Sequence, residues 1–217
     1  MGAGRTDAGV HALGQVVSTE YPGEAAFDPP DELAELRRRL DAMCGPTIAV
    51  NAARVVADDF DARFSARSRT YVYAASDAEV HDPFLAGTVL FHRARLDVDA
   101  MNEAAGHLAG SHDFAAFGRV DEGKTSTRNL YELRCVRDGD LIRVRARANA
   151  FIQQMVRSLV GTLIHVGEGR LDPDDVPAIL AGRDRANAGP VAPPHGLCLV
   201  SVEYDEGWSE PGFAGAP

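Results

Sequence analysis

The chain has 217 residues, 45 % of them hydrophobic and 25 % charged, which fits one large folded domain or two small ones and excludes a disordered chain, a collagen and a disulfide mini-scaffold. No apolar run approaches the roughly 18–20 residues of a membrane span, and MGAGRTDAGV has neither the basic start nor the apolar core of a secretory signal, so no membrane partner and a cytoplasmic location are expected. Acids outnumber bases by 32 to 22, and a net charge of −10 repels nucleic acid at long range.

In chain order, Gln15 to Glu20 reads as a strand. Leu33, Leu36, Leu40 and Met43, three to four apart, predict a helix over 31–44, with Asp28 as its N-cap and Pro29 and Pro30 at its entry. Ile48 to Val56, Thr70 to Ala75 and Val89 to Leu96 read as strands. Asp97 then caps a helix carrying Met101, Ala104, Ala105 and Leu108. Arg128 to Asn149 reads as a hairpin turning at Asp138-Gly139. A broad apolar face from Phe151 to Val166 predicts the clearest helix, ended by Gly167 and Gly169. A short helix at 173–181 and a strand from Leu197 to Tyr204 follow, and the Gly- and Pro-rich stretch after Trp208 reads as a loose tail. Hairpins with helices between them predict an α+β fold with a largely antiparallel sheet.

Several familiar motifs fail on context. GRVDEGKT, from Gly118 to Thr125, matches a phosphate-binding loop, but a β-like stretch follows where a helix N-terminus should cradle the phosphate. The seven histidines never pair at metal-ligand spacing and the three cysteines lie far apart, so no metal site is expected and the thiols read as reduced. GAGRTDAG lacks the third glycine of a dinucleotide fingerprint, and there is no G-x-S-x-G.

Four clusters carry more information. In GRTDAGVHALGQVV, small residues surround Arg5 and Asp7, so a backbone can approach a ligand closely while one carboxylate projects beside a cation that favours its ionised form. An Asx-turn aspartate with a surface arginine would leave the same pattern. In RSRTYVY, period two puts Arg69, Tyr71 and Tyr73 on one face, suited to phosphate contact and base stacking or, equally, to packing in a core. Arg143, Arg145 and Arg147 alternate with apolar residues, a cationic stripe that restores a nucleic-acid reading unless carboxylates pair with it. Arg157 stands at the edge of the apolar helix face, either paired with an anion such as Asp7 or snorkelling at the rim.

GRTDAGVHALGQVV, FDARFSARSRTYVY, DFAAF, KTSTRNL, NAFIQQMVRSLVG and GLCLVSVEY, in that order and across almost the whole chain, resemble the tRNA pseudouridine synthase A family. The resemblance implies a cofactor-free isomerase that turns uridine into pseudouridine in the tRNA anticodon stem-loop, at about positions 38 to 40, and a homodimer of two-lobed subunits with a central cleft. It implies Asp7 as the catalytic residue, Tyr71 at the substrate, and Arg5 and Arg157 in support, Arg157 by pairing with Asp7. Arg69, Lys124, Arg128, Arg143, Arg145 and Arg147 are then candidate RNA contacts. Residues 1–62 would be the remainder of an N-terminal lobe, 63–208 the C-terminal lobe and 209–217 a tail, with a strand and a helix that usually precede the Asp motif missing. A non-catalytic RNA-binding fragment of the same family is the alternative, with a P-loop NTPase behind it. Only one of the 22 basic residues, Lys124, is a lysine, and an acid-rich, lysine-poor surface points to a halophilic archaeal source.

Overall fold

The run SRTYVYAAS becomes an inner strand of a sheet, paired on both sides and buried at every residue except Val72 and Ser76. The computed structural model describes residues 1–4, 6–20, 30–120 and 123–205. Its strands are β1 (His11–Ala12), β2 (Ser68–Ser76), β3 (Leu90–Phe91), β4 (Gly110–Asp113), β5 (Thr127–Asp138), β6 (Leu141–Ala148) and β7 (Leu197–Glu203). They form a sheet in the order β1-β7-β2-β6-β5-β4, with β3 beside β2. Only β1 with β7 and β2 with β3 are parallel. The helices are α1 (Pro30–Cys44), α2 (Val98–Leu108), α3 (Met155–Gly167) and α4 (Val176–Gly182). The architecture is the α+β fold with a mainly antiparallel sheet that the residue pattern predicts.

One face of the sheet is the core. Tyr71 and Tyr73 of β2 stand in register with Ala146 and Val144 of β6 and with Leu199 and Leu197 of β7. Met155, Val156, Leu159, Val160 and Leu163 of α3 are buried in the same core. Asp97 caps α2 as expected, accepting from the N–H groups of Asp99 and Ala100. Asn102 of α2 hydrogen-bonds both the C=O (2.9 Å) and the N–H (2.8 Å) of Cys135, which fixes the helix against β5.

Two glycines let chain segments cross. A Cβ on Gly161 of α3 would lie 1.7 Å from the carbonyl oxygen of Pro190, and one on Gly189 would lie 2.6 Å from that of Gly161. Residues 188–193 therefore lie as a strap directly on α3. Thr162 secures it by accepting from Gly189 N–H at 2.9 Å, and Ala192 N–H donates to Arg157 C=O at 3.0 Å.

The structure departs from the sequence pattern at several places. Residues 15–20 form no strand: Val17 makes a single bridge to Gly2, and the ladder here is only the two-residue β1. Residues 48–56 also stay irregular, because α1 engages their backbone: Asp41 accepts from Val50 N–H at 2.9 Å and Arg37 donates to Val50 C=O at 3.0 Å. Only Leu90 and Phe91 of the predicted 89–96 strand pair. The hairpin turns one residue later than expected, at Gly139-Asp140, with Gly139 at φ +60°. Residues 151–154 are not helical, and α3 starts after Gln154, held at φ +64°. The expected cap Asp28 and the tail lie outside the described residues.

Candidate active site

Asp7 sits in a tight turn. Its carbonyl accepts from Val10 N–H at 3.1 Å, and Gly9, at φ +83°, takes the third turn position that a type II turn reserves for glycine. A Cβ there would lie 3.2 Å from Pro194, the residue just after the strap. The chain before the turn is fixed by Ala3 N–H donating to Val16 C=O at 2.8 Å, and the chain after it by Leu13 N–H donating to Leu199 C=O at 2.8 Å. The turn thus hangs from both sides of a short loop over β7.

Arg157 rises from the first turns of α3 to meet it. Nη1 donates to Asp7 Oδ2 at 2.8 Å, and Nε donates to Ala192 C=O of the strap at 2.6 Å. The arginine side chain is 13 % exposed and the aspartate 32 %, so the pair is covered from behind and open on the carboxylate side. Of the two readings of Arg157, the paired one holds.

Tyr71 forms the floor. It is buried, and a Cβ on Gly4 would lie 3.1 Å from its hydroxyl, so that glycine allows the Asp7 loop to settle on the phenol. Phe151 packs edge-on against the Tyr71 ring, centroids 5.3 Å apart at 89°. Burial, with the Asp7 charge adding to it, pushes the Tyr71 phenol up to about 12. It stays neutral through the physiological range. Tyr73, next on that face, donates to Pro193 C=O at 2.9 Å and anchors the strap.

The remaining candidates scatter. Arg69 is 7 % exposed and donates to the carbonyls of Ala3, Arg63, Ala66 and Asn149, inside the protein rather than on an RNA-facing surface. Arg128 donates to Thr125 and Thr127 carbonyls. Lys124 lies on the loop before β5, which a two-way bridge between Arg119 and Gln153 ties to the approach of α3. Arg143, Arg145 and Arg147 share a sheet face but pair with Asp138, Glu132 and Glu203, and Arg147 also lies over the Tyr131 ring. Arg5 is outside the described residues. The phosphate-loop reading fails on geometry, because β5 begins at Thr127 where it needs a helix N-terminus.

Phe151, Gln15 and the strap carbonyls escaped the residue pattern. Its apolar spacing places Phe151 in a helical face, but α3 begins only at Met155. The burial of Arg69 was legible: period two places it on the Tyr71 face, so a core tyrosine implies a core arginine. Among the described residues no helix is long and apolar enough to cross a membrane, and no three His, Cys, Asp or Glu side chains gather as a metal site would need.

A family model described as tRNA pseudouridine synthase matches residues 104–205. A curated relative from Rhodopseudomonas palustris (strain BisA53), named tRNA pseudouridine synthase A, is 46 % identical over 206 residues, 94 % of this chain and 81 % of its own. One of the same name from Burkholderia mallei (strain SAVP1) is 43 % identical over 212 residues, 96 % of this chain and 76 % of its own.

Proposed function

This chain belongs to the tRNA pseudouridine synthase A family, and from that membership we infer that it isomerises uridine to pseudouridine in the anticodon stem-loop of tRNA, at about positions 38 to 40, with Asp7 as the nucleophile. The observation that carries the assignment of Asp7 is its ion pair with Arg157 at 2.8 Å, beside the buried Tyr71, with one carboxylate face open.

The geometry suits the chemistry of that isomerisation. The bond from N1 to the ribose breaks, the ring turns, and C5 joins C1′; the C5 proton leaves and N1 gains one, so neither water nor an electron carrier is consumed. A carboxylate can attack ribose C1′ or ring C6 and be expelled later. Arg157 holds Asp7 in place from the covered side, and its second hydrogen bond, to Ala192, keeps the guanidinium from following the substrate. The target uridine has to leave its stack to reach a site this recessed, and Tyr71 with Phe151 supplies an aromatic wall for it.

Lys124, on the loop tied to the approach of α3, and Arg128, at the start of β5, are the further candidates for the RNA backbone. The Arg143, Arg145 and Arg147 stripe adds less than its charge count suggests, because each guanidinium already has a carboxylate. A homodimer in the cytoplasm completes the reading.

Incubation with unmodified tRNA, followed by mapping of pseudouridine, tests it. Wild type forms product in the anticodon stem-loop, and Asp7→Ala forms none while still binding tRNA. Product from Asp7→Ala, or modification elsewhere in the tRNA, would refute the assignment.

A further inference from the structure

We propose that Arg69 is a positioning residue for this reaction: through backbone carbonyls alone it holds the Asp7 loop, the turn at 63–66 and the approach to α3 in one register, with Gln15 completing the grip on the loop. The inference rests on the reading of Asp7 as the nucleophile.

A buried guanidinium normally faces a carboxylate, since an unpaired buried charge is costly. Arg69 instead spends its hydrogen bonds on carbonyl oxygens. Nε and Nη2 donate to Ala3 C=O at 3.2 and 3.1 Å. Nη1 donates to Ala66 C=O at 3.2 Å and Asn149 C=O at 2.8 Å, and Nη2 also reaches Arg63 C=O. A carboxylate would occupy one edge of the fork and link Arg69 to one place. Carbonyls from three segments use all three nitrogens and cross-link those segments.

Two of these segments lead to a reacting or substrate-facing group. Ala3 is four residues before Asp7. Its N–H is held by Val16 C=O and its C=O by Arg69. The next peptide is held by Gln15, whose Nε2 donates to Gly4 C=O at 2.8 Å and whose Oε1 accepts from Gly4 N–H at 3.3 Å and Val16 N–H at 3.2 Å. Every polar backbone group of residues 3 and 4 is therefore committed, where a Cβ on Gly4 would stand 3.1 Å from the Tyr71 hydroxyl. Asn149 is two residues before Phe151, the ring against Tyr71, and is itself locked to Asn129 by its backbone N–H (3.1 Å) and its side-chain Oδ1 (2.9 Å). Tyr71 is two residues along β2 from Arg69, on the same face. One side chain thus sets the spacing between the nucleophile's loop, the tyrosine strand and the aromatic wall. A lysine keeps the charge but radiates its donors from one point and cannot span all four carbonyls.

The test uses the full chain as wild type, Arg69→Lys and Gln15→Ala. It combines single-turnover pseudouridine formation at saturating unmodified tRNA, tRNA affinity across salt concentrations, thermal midpoint, and amide hydrogen exchange of residues 1–16, 149–153 and α2. In Arg69→Lys the rate should fall about 30-fold or more. Its tRNA affinity and salt slope should stay within about twofold of wild type. Exchange should rise in 1–16 and 149–153 but not in α2. Gln15 is exposed, so Gln15→Ala folds even if Arg69→Lys does not; its rate should fall about tenfold, with faster exchange confined to 1–16. Weaker binding with a shallower salt slope and an unchanged rate would make Arg69 an RNA contact and overturn the proposal. Faster exchange throughout, α2 included, with Gln15→Ala inert would reduce Arg69 to a core residue and also overturn it. Absence of product from wild type sinks the proposed function instead, and the exchange data then still decide whether Arg69 holds the loop.

Discussion

The crossing of the strap over α3 gives a sharp prediction. A Cβ on Gly161 would stand 1.7 Å from Pro190 O and 2.9 Å from Pro190 C, both backbone atoms that cannot rotate away. Relief to ordinary contact needs the strap to lift by about 1.5 Å or more. The Arg157 Nε hydrogen bond to Ala192, 2.6 Å long, does not survive such a shift, and neither does that of Tyr73 to Pro193 at 2.9 Å. Overpacking costs about 1–3 kcal/mol. The charged hydrogen bond adds about 1.5–3 kcal/mol. Gly161→Ala should therefore lose about 3–5 kcal/mol, against a total of about 5–15 kcal/mol for a typical domain, and should still fold. Arg157 would lose its second anchor, and a displacement of this size at Asp7 costs about 100-fold in rate. Gly106→Ala is the matched control: it is also helical, has nothing within 4 Å of its would-be Cβ, and should gain up to about 1 kcal/mol. Urea unfolding with an unchanged slope measures the stabilities, and single-turnover kinetics measures the rate. A Gly161→Ala protein as stable and as active as Gly106→Ala would refute the strap geometry.

Other perturbations read different parts of the molecule. Asp77 has no exposed side-chain surface and binds Arg137 through two hydrogen bonds of 2.8 Å, with Arg95 and Leu96 N–H as further partners, so Asp77→Ala should cost about 3–5 kcal/mol in chemical unfolding. Burial would raise the Asp77 carboxyl, but its arginine and backbone hydrogen bonds outweigh that and hold it below the usual range. Its stabilisation is therefore present above the unfolded value and lost as pH falls through the lower folded one, and a wild-type acid-unfolding curve no steeper than that of Asp77→Asn would contradict this. Burial pushes the phenols of Tyr71 and Tyr204 up to about 12 and that of Tyr73 further up. Raised folded values give stability that is complete below about pH 10 and drains away above it, so phenolate absorbance should show most of these groups ionising only with unfolding. With a net charge of −10, self-repulsion should make the melting temperature rise with potassium chloride, and a flat response would remove the case for a high-salt source.

Much of this protein is written locally. The Asp97 cap, the hairpin around Gly139, the apolar stripe of α3 and the alternation of β2 arise from side-chain period, turn chemistry and capping, which act within a few residues. Asp7, Tyr71 and Arg157 stand out as candidates by their place in a loop of small residues or on a periodic element, but their roles come from the family resemblance and not from that period. Their meeting is not local, since Asp7 and Arg157 are 150 positions apart and only the sheet and the strap bring them within a hydrogen bond. Tertiary structure also decided what alternation could not. Residues 15–20 and 48–56 have strand-like sequence, but a strand exists only where a neighbouring backbone offers a ladder, and here the nearest groups are Gly2 for one and the side chains of α1 for the other. Likewise the character of each arginine follows from its surroundings. Arg69 is enclosed by carbonyls and Arg147 is neutralised by Glu203, because the dielectric and the partners that set a charge's role are assembled by the fold and not by the chain order.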